Sequence, residues 1–199
     1  AHEGNRYQIY AQLYDASGNA IGSEFNLSSD DNFFSWWVSS AALSDGSFIA
    51  TWTTYQKDGS GYGIYGRRFA SDGNHLGDEF LINTETDGSQ QVSSIAALAD
   101  GGFVVAWQSL QQDGSSLIYA QRFSSTGTKV GGEFQVNTYT EGSQISPSAF
   151  SLENGGFGIT FGGGPGIVTQ LYNSDGTLNG SQSQSSDSVR LSFRGDFSS

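Results

Sequence analysis

Cysteine is absent from this 199-residue chain, which excludes disulfides and thiolate metal sites. Histidine is nearly absent. His2 stands near the first residue, and His75 occupies a turn position filled by Ala20 and Lys129 in related segments. No His pair has metal-ligand spacing, and there is no Gly-x-Ser-x-Gly elbow or phosphate loop. Ser–His catalysis and a zinc centre are therefore not expected. Basic residues are scarce, with 8 Lys+Arg against 20 Asp+Glu, a formal net charge of −12 and a sequence pI of about 4.2. That balance disfavours nucleic acid and anionic lipid surfaces, and suits neutral sugars, cations or simple solubility. Apolar runs are only a few residues long, far short of a membrane span. No secretory signal is visible at "AHEGNRYQ", but a mature or excised fragment would have lost one. Proline occurs twice against 28 glycines, which points to tight turns rather than a collagen-like or proline-rich linker.

What is present is a repeat. "IYAQLYDASGNAIGSEF" starts at Ile9, "IYGRRFASDGNHLGDEF" at Ile64, "IYAQRFSSTGTKVGGEF" at Ile118 and a degraded "IVTQLYNSDGTLNGSQS" at Ile167. A second unit alternates with it: "AALSDGSFIATW" ends at Trp52, "AALADGGFVVAW" at Trp107 and "FSLENGGFGITF" at Phe161. The steps are 55, 54 and finally 49 residues, the last shortened where "QSLQQDGSS" gives way to "GGGPG". Each unit reads as a β-hairpin, because β-prone runs flank Gly-bearing turns. Asp45-Gly46, Asp100-Gly101 and Asn154-Gly155 supply the positive φ of tight turns. No sustained helical periodicity occurs, so almost no helix is expected. Aromatics, 14% of residues, imply a packed core.

Four short strands in about 50 residues make a propeller blade. The predicted fold is all-β and propeller-like, a single repeat-built domain of about four blades. A half-blade covers 5–28, full blades cover about 37–83, 91–137 and 145–184, and a strand at 188–194 completes the first blade. An open array of stacked sheets is the rival architecture.

The pattern "AALADGGFVVAWQS…DGS…IYAQRF…G…VGGEFQVNT" resembles tandem repeats of about 54 residues in large secreted bacterial proteins of the RTX, calcium-binding adhesin type. The resemblance covers nearly the whole chain, most clearly residues 60 to 140. The RTX nonapeptide itself is missing, since "GGFGITF" lacks its Asp, so calcium binding by that motif does not carry over. The resemblance implies an extracellular or cell-surface setting, with adhesion or glycan contact as the role.

A glycosidase needs two acids at fixed separation across the scissile bond. The acids here recur at equivalent positions, as with Glu24, Glu79 and Glu133, which reads as blade construction and not as one catalytic site. Calcium requires six to eight oxygen ligands. Asp30, Asp31, Asp58 and Asp113 lie in oxygen-rich loops and are candidate ligands, so Ca2+ is the one cofactor considered, although Asp-Gly turns explain Asp58 and Asp113 without an ion. Trp52, Trp107 and Phe161, with Phe25, Phe80 and Phe134, are assigned to the core.

One segment departs from the repeat. Asn32-Phe33-Phe34-Ser35-Trp36-Trp37 aligns with Asp87-Gly88-Ser89-Gln90-Gln91-Val92 and with Glu141-Gly142-Ser143-Gln144-Ile145-Ser146. Two copies fold with a polar turn here, so the scaffold does not demand rings. The cluster could stack on sugars, associate with a partner or a second copy of the chain, or plug the junction beside the first half-blade. Trp37, opposite Val92, is expected to point inward. The reading adopted is a non-catalytic extracellular module whose partner is a glycan or cell-surface component. Its ligand site comprises Asp31, Asn32, Phe33, Phe34, Trp36, Tyr55 and Tyr62. The alternatives are a structural segment of a giant surface protein, with self-association through Phe33–Trp37, or a polysaccharide-degrading enzyme.

Overall fold

The computed structural model describes residues 8–28, 33–164 and 166–185. All secondary structure among them is β. Strands β1 (Tyr10–Tyr14) and β2 (Ala20–Asn26) form a two-stranded antiparallel sheet. Three four-stranded antiparallel sheets follow, each a meander in chain order. The first contains β3 (Ser35–Ala42), β4 (Phe48–Tyr55), β5 (Tyr62–Phe69) and β6 (Phe80–Leu81). The second contains β7 (Ser89–Ala97), β8 (Phe103–Leu110), β9 (Ser116–Phe123) and β10 (Lys129–Gln135). The third contains β11 (Ile145–Ser151), β12 (Phe157–Gly163), β13 (Gly166–Tyr172) and β14 (Ser183–Ser185). These are the blades expected from the repeat, with β1–β2 matching the outer half of another. The strand expected at 188–194 lies outside the described residues.

The blades stack in sequence. Strand β7 packs against β3, β4 and β5, and β11 packs in the same way against β7, β8 and β9. A hydrophobic core fills each interval. Trp52 lies in the core beside β1–β2, Trp107 in the one between the first and second blades, and Phe161 in the one between the second and third. All three are at most 2% exposed, so their repeated position is a core position as expected.

The second repeated aromatic is a clamp between blades. Within each blade two rings stack: Phe48 on Phe69 at 4.9 Å, Phe103 on Phe123 at 4.9 Å and Phe157 on Tyr172 at 4.7 Å. The ring from the preceding outer strand leans on that stack. Phe25 lies 5.8 Å from Phe69, Phe80 5.9 Å from Phe123 and Phe134 5.4 Å from Tyr172. The turn beneath must be bare. Gly73 has φ +87°, and a Cβ there would meet the Phe25 ring at 3.0 Å.

Two polar devices also repeat. The Gln12 side-chain amide donates to Leu13 O and Ile21 O, each at 3.0 Å, where the β1–β2 register slips. Gln121 and Gln170 do the same for Arg122 O and Leu171 O, each at 2.9 Å. Asn83 Oδ1 accepts the Ile64 amide and Asn137 Oδ1 the Ile118 amide, each at 2.8 Å, tying the chain leaving one blade to its third strand. These amides, buried in all but Gln12, satisfy backbone groups that the ladders leave open.

The first strand of every blade carries a β-bulge at one place. Register slips between Trp36 and Ser39, Gln91 and Ser94, and Ile145 and Ser148. Trp37, Val92 and Ser146 there adopt φ of 52°, 55° and 53°, left-handed values unusual for residues other than glycine.

Candidate ligand-binding site

In a regular strand, neighbouring side chains point to opposite faces. The bulge suspends that rule at Trp36 and Trp37, whose rings meet edge-to-face at 5.6 Å. Trp37 is 44% exposed, which corrects the inward orientation expected from its alignment with Val92; the left-handed backbone turns the side chain outward.

Tyr55 closes β4 and Tyr62 opens β5, and the two are paired across the ladder with rings 4.9 Å apart. Tyr62 in turn lies 5.4 Å from Trp36 and 6.2 Å from Trp37. Phe34 lies 6.5 Å from Trp36, and its carbonyl accepts the Tyr55 amide at 3.0 Å. Five rings thus run continuously from Phe34 through Trp36, Trp37 and Tyr62 to Tyr55. None of them is fully buried. An open depression of about 620 Å³ beside them is lined by Gln8, Ser35, Trp36 and Trp37. The Ser35 and Thr54 hydroxyls bond to each other at 3.0 Å beneath the platform.

The structure therefore brings together Phe34, Trp36, Tyr55 and Tyr62 from the sequence-derived set and adds Trp37 to them. Phe33 stands slightly apart, with the Lys57 ammonium 5.9 Å from its ring centroid. Asp31 and Asn32 lie outside the described residues, as does Asp30.

Lys57 was not singled out by its sequence. Its ammonium pairs with Glu79 and lies 4.8 Å from the centroid of Tyr65. Burial, with the charges of Asp58 and Glu79 adding to it, pushes the Tyr65 hydroxyl up to about 12. The one available signal was the alignment of Lys57 with Gln112, a difference that acquires meaning only once Glu79 and Tyr65 are seen around it.

Glu24 lies in β2 and Glu133 in β10, strands of different sheets, and Glu79 immediately precedes β6. Asp58 Oδ1 accepts the Ser60 amide at 3.3 Å, and Asp113 Oδ1 accepts the Ser115 amide at 2.9 Å and its hydroxyl at 2.6 Å. Both cap their own loops, and among the described residues no group of three or more His, Cys, Asp or Glu could hold a metal ion. His75 is exposed, with Nδ1 3.3 Å from the Arg67 guanidinium.

No family model matches the chain, and no curated protein matches it in sequence. Solved structures do match it in part. An α-L-arabinofuranosidase from Lactobacillus brevis superposes with a TM-score of 0.55 at 13% identity, over 86% of this chain and 61% of that one. An endo-arabinase from Bacteroides thetaiotaomicron gives 0.45 at 17% identity, over 79% of this chain and 66% of that one. A fucose lectin from Kordia zhangzhouensis gives 0.43 at 11% identity, over 76% of this chain and 99% of the lectin. The chain thus spans less than two thirds of the two enzymes' lengths. The likeness to the arabinofuranosidase, together with the blade-by-blade topology, establishes the fold as an all-β, propeller-like stack.

Proposed function

We propose that this chain is a non-catalytic glycan-binding module in which Trp36, Trp37, Tyr55 and Tyr62 form a stacking platform for sugar rings. One observation carries the reading: the first blade exposes a continuous aromatic surface from Trp36, Trp37, Tyr55 and Tyr62, where the second blade has Gln91, Val92, Leu110 and Ser116. Sugars present apolar C–H faces and polar edges, which exposed indole and phenol rings accommodate together. Gln8 lines the depression and is the polar partner assigned there, while Asp31 and Asn32 remain the hydrogen-bonding candidates drawn from the sequence. A neighbour of the same fold, described as an α-L-arabinofuranosidase, is in keeping with sugar as the ligand class. The setting assigned is extracellular or on a cell surface, resting on the resemblance to adhesin repeats.

The test is a glycan array probed with the wild-type chain, Trp36→Ala and Trp37→Ala, with and without EDTA. Wild type should bind a restricted set of glycans, and each variant should lose them while still unfolding in a single cooperative transition above the assay temperature. Absence of any bound glycan, or binding indifferent to both variants, would overturn the proposal. Loss of binding in EDTA would revive the calcium candidates Asp30, Asp31, Asp58 and Asp113.

A second reading has its own observation. Gln8, which leads into β1, lines the same depression, so the platform borders the incomplete first sheet. On this reading the rings seal that junction or a contact with a second copy. Removing residues 186–199 would then increase acrylamide quenching of tryptophan, or sedimentation would show a dimer that Trp37→Ala dissolves.

A further inference from the structure

One pocket is built three times in this chain, and the three copies differ in charge. In the first blade Lys57, Glu79 and Tyr65 fill it: the ammonium is paired with Glu79 and packed against the Tyr65 ring at 4.8 Å, leaving the Glu79 side chain 6% exposed. In the second blade the equivalent residues are Gln112, Glu133 and Tyr119. All three line an open groove of about 850 Å³, with Glu85, Asp87 and Asp113 around its rim. In the third blade the loop that would bring a lysine is shortened to "GGGPG", and the carboxylate and ring are replaced by Gln182 and Val168. The wall is otherwise kept. Glu133 Oε2 accepts the Thr84 amide at 2.6 Å, and Gln182 Oε1 accepts the equivalent Thr138 amide at 3.3 Å.

We infer that the groove on the second blade is a binding site for a primary ammonium group on a small organic molecule, received by Glu133 and the face of Tyr119 as Lys57 is received in the first blade. The first blade supplies the template, because the same carboxylate and ring positions there already hold an ammonium. In the second blade Gln112 stands at the Lys57 position and donates to Asp87 Oδ2 at 3.4 Å, at the groove mouth. The loop is one residue shorter there, since Leu110 pairs with Ser116 where Tyr55 pairs with Tyr62 across a longer loop. The nearest cation, Lys129, is engaged with Asn83 O at 3.3 Å and Thr84 Oγ1 at 2.9 Å. Four acids, Glu85, Asp87, Asp113 and Glu133, therefore face the groove against one lysine beside it. An ammonium is attracted both by carboxylates and by the negative face of a phenol ring. Burial foremost, and then the charge of Glu85, raises the Glu133 carboxyl, while the Thr84 and Glu85 amides and Lys129 lower it. A bound cation would add to the lowering side. The site is independent of the aromatic platform and does not rest on its function.

Glucosamine, n-butylamine and Nα-acetyl-lysine amide are suitable probes, with N-acetylglucosamine as the uncharged control, each titrated against the whole chain by two-dimensional amide NMR. The three amines should shift the resonances of Gln112, Tyr119 and Glu133, and the control should not. The strongest binder among them names the source of the ammonium. Glu133→Gln should weaken binding at least about tenfold, a change of 1.4 kcal/mol on the conversion for a factor of ten. Gln112→Lys should abolish it by supplying a tethered ammonium. Lys57→Gln should open the first-blade pocket and raise the stoichiometry from one to two. Equal shifts from N-acetylglucosamine, or full binding by both Glu133→Gln and Gln112→Lys in folded protein, would overturn the inference.

Discussion

Glycine placed at each of the three bulge positions separates backbone strain from side-chain function. Trp37, Val92 and Ser146 hold φ of 52°, 55° and 53°. A left-handed backbone costs an L-residue about 1–2 kcal/mol. Glycine removes that cost but orders a more mobile unfolded chain, which offsets about 0.5–1 kcal/mol. The backbone balance therefore favours glycine by roughly 0.5–1 kcal/mol. Ser146 is exposed, so Ser146→Gly should show the gain undiminished. For a chain of this size the melting temperature should rise by about 1–4 °C. Val92 is half-buried and loses about 1 kcal/mol of apolar burial, so Val92→Gly should be close to neutral. Trp37 loses two edge-on ring contacts, at 5.6 Å to Trp36 and 6.2 Å to Tyr62. Each is worth about 0.5–1.5 kcal/mol beyond the burial of about half the indole, itself about 2 kcal/mol, so Trp37→Gly should destabilise by roughly 2–4 kcal/mol. Urea and thermal unfolding of the three single variants read this order directly. Equal losses at all three positions would refute the bulge as a shared, strained element.

Three further outcomes are expected. Phe80→Ala should destabilise by about 2–4 kcal/mol, below or within the range for a fully buried Phe because Phe80 is half-buried, as measured by chemical denaturation. Trp107→Phe should cost less than about 1.5 kcal/mol where Trp107→Ala costs about 3–5, because Phe161 serves at the same position of the third blade and the Trp107 indole N–H has no hydrogen-bond partner among the described residues. Stability should also fall at alkaline pH. Below 10.0, the ordinary tyrosine value, both folded and unfolded chains keep the Tyr65 proton; from there to about 12 the unfolded chain releases it first. Tyr65→Phe should flatten that part of a pH–stability curve. Tyr172, whose hydroxyl burial also raises, should contribute similarly.

The hairpins were legible because each turn and each core ring recurs at the same offset, and a position such as Trp52–Trp107–Phe161 permits no other role in three copies. The platform was half legible. Tyr55 and Tyr62 flank one loop, and a hairpin must bring such flanks together. Trp37 was misjudged because alignment with Val92 assumes a regular strand, whereas both residues sit in a left-handed bulge that neither side chain announces. Lys57 was missed for a different reason. Its partner Glu79 stands 22 residues away, and Glu79 and Tyr65, each taken alone, look like parts of the repeat.

The clamp of aromatic rings gives the stack a direction along the chain. Phe25, Phe80 and Phe134 each reach forward into the following blade, but the equivalent residue of the last copy is Ser183, which has no ring to offer. At the other end Tyr14, the counterpart of the receiving Phe69, stands 63% exposed. During synthesis the donor ring of each blade therefore emerges before the stack that receives it. Folding on the ribosome would leave one such ring waiting at every stage until Ser183 closes the series.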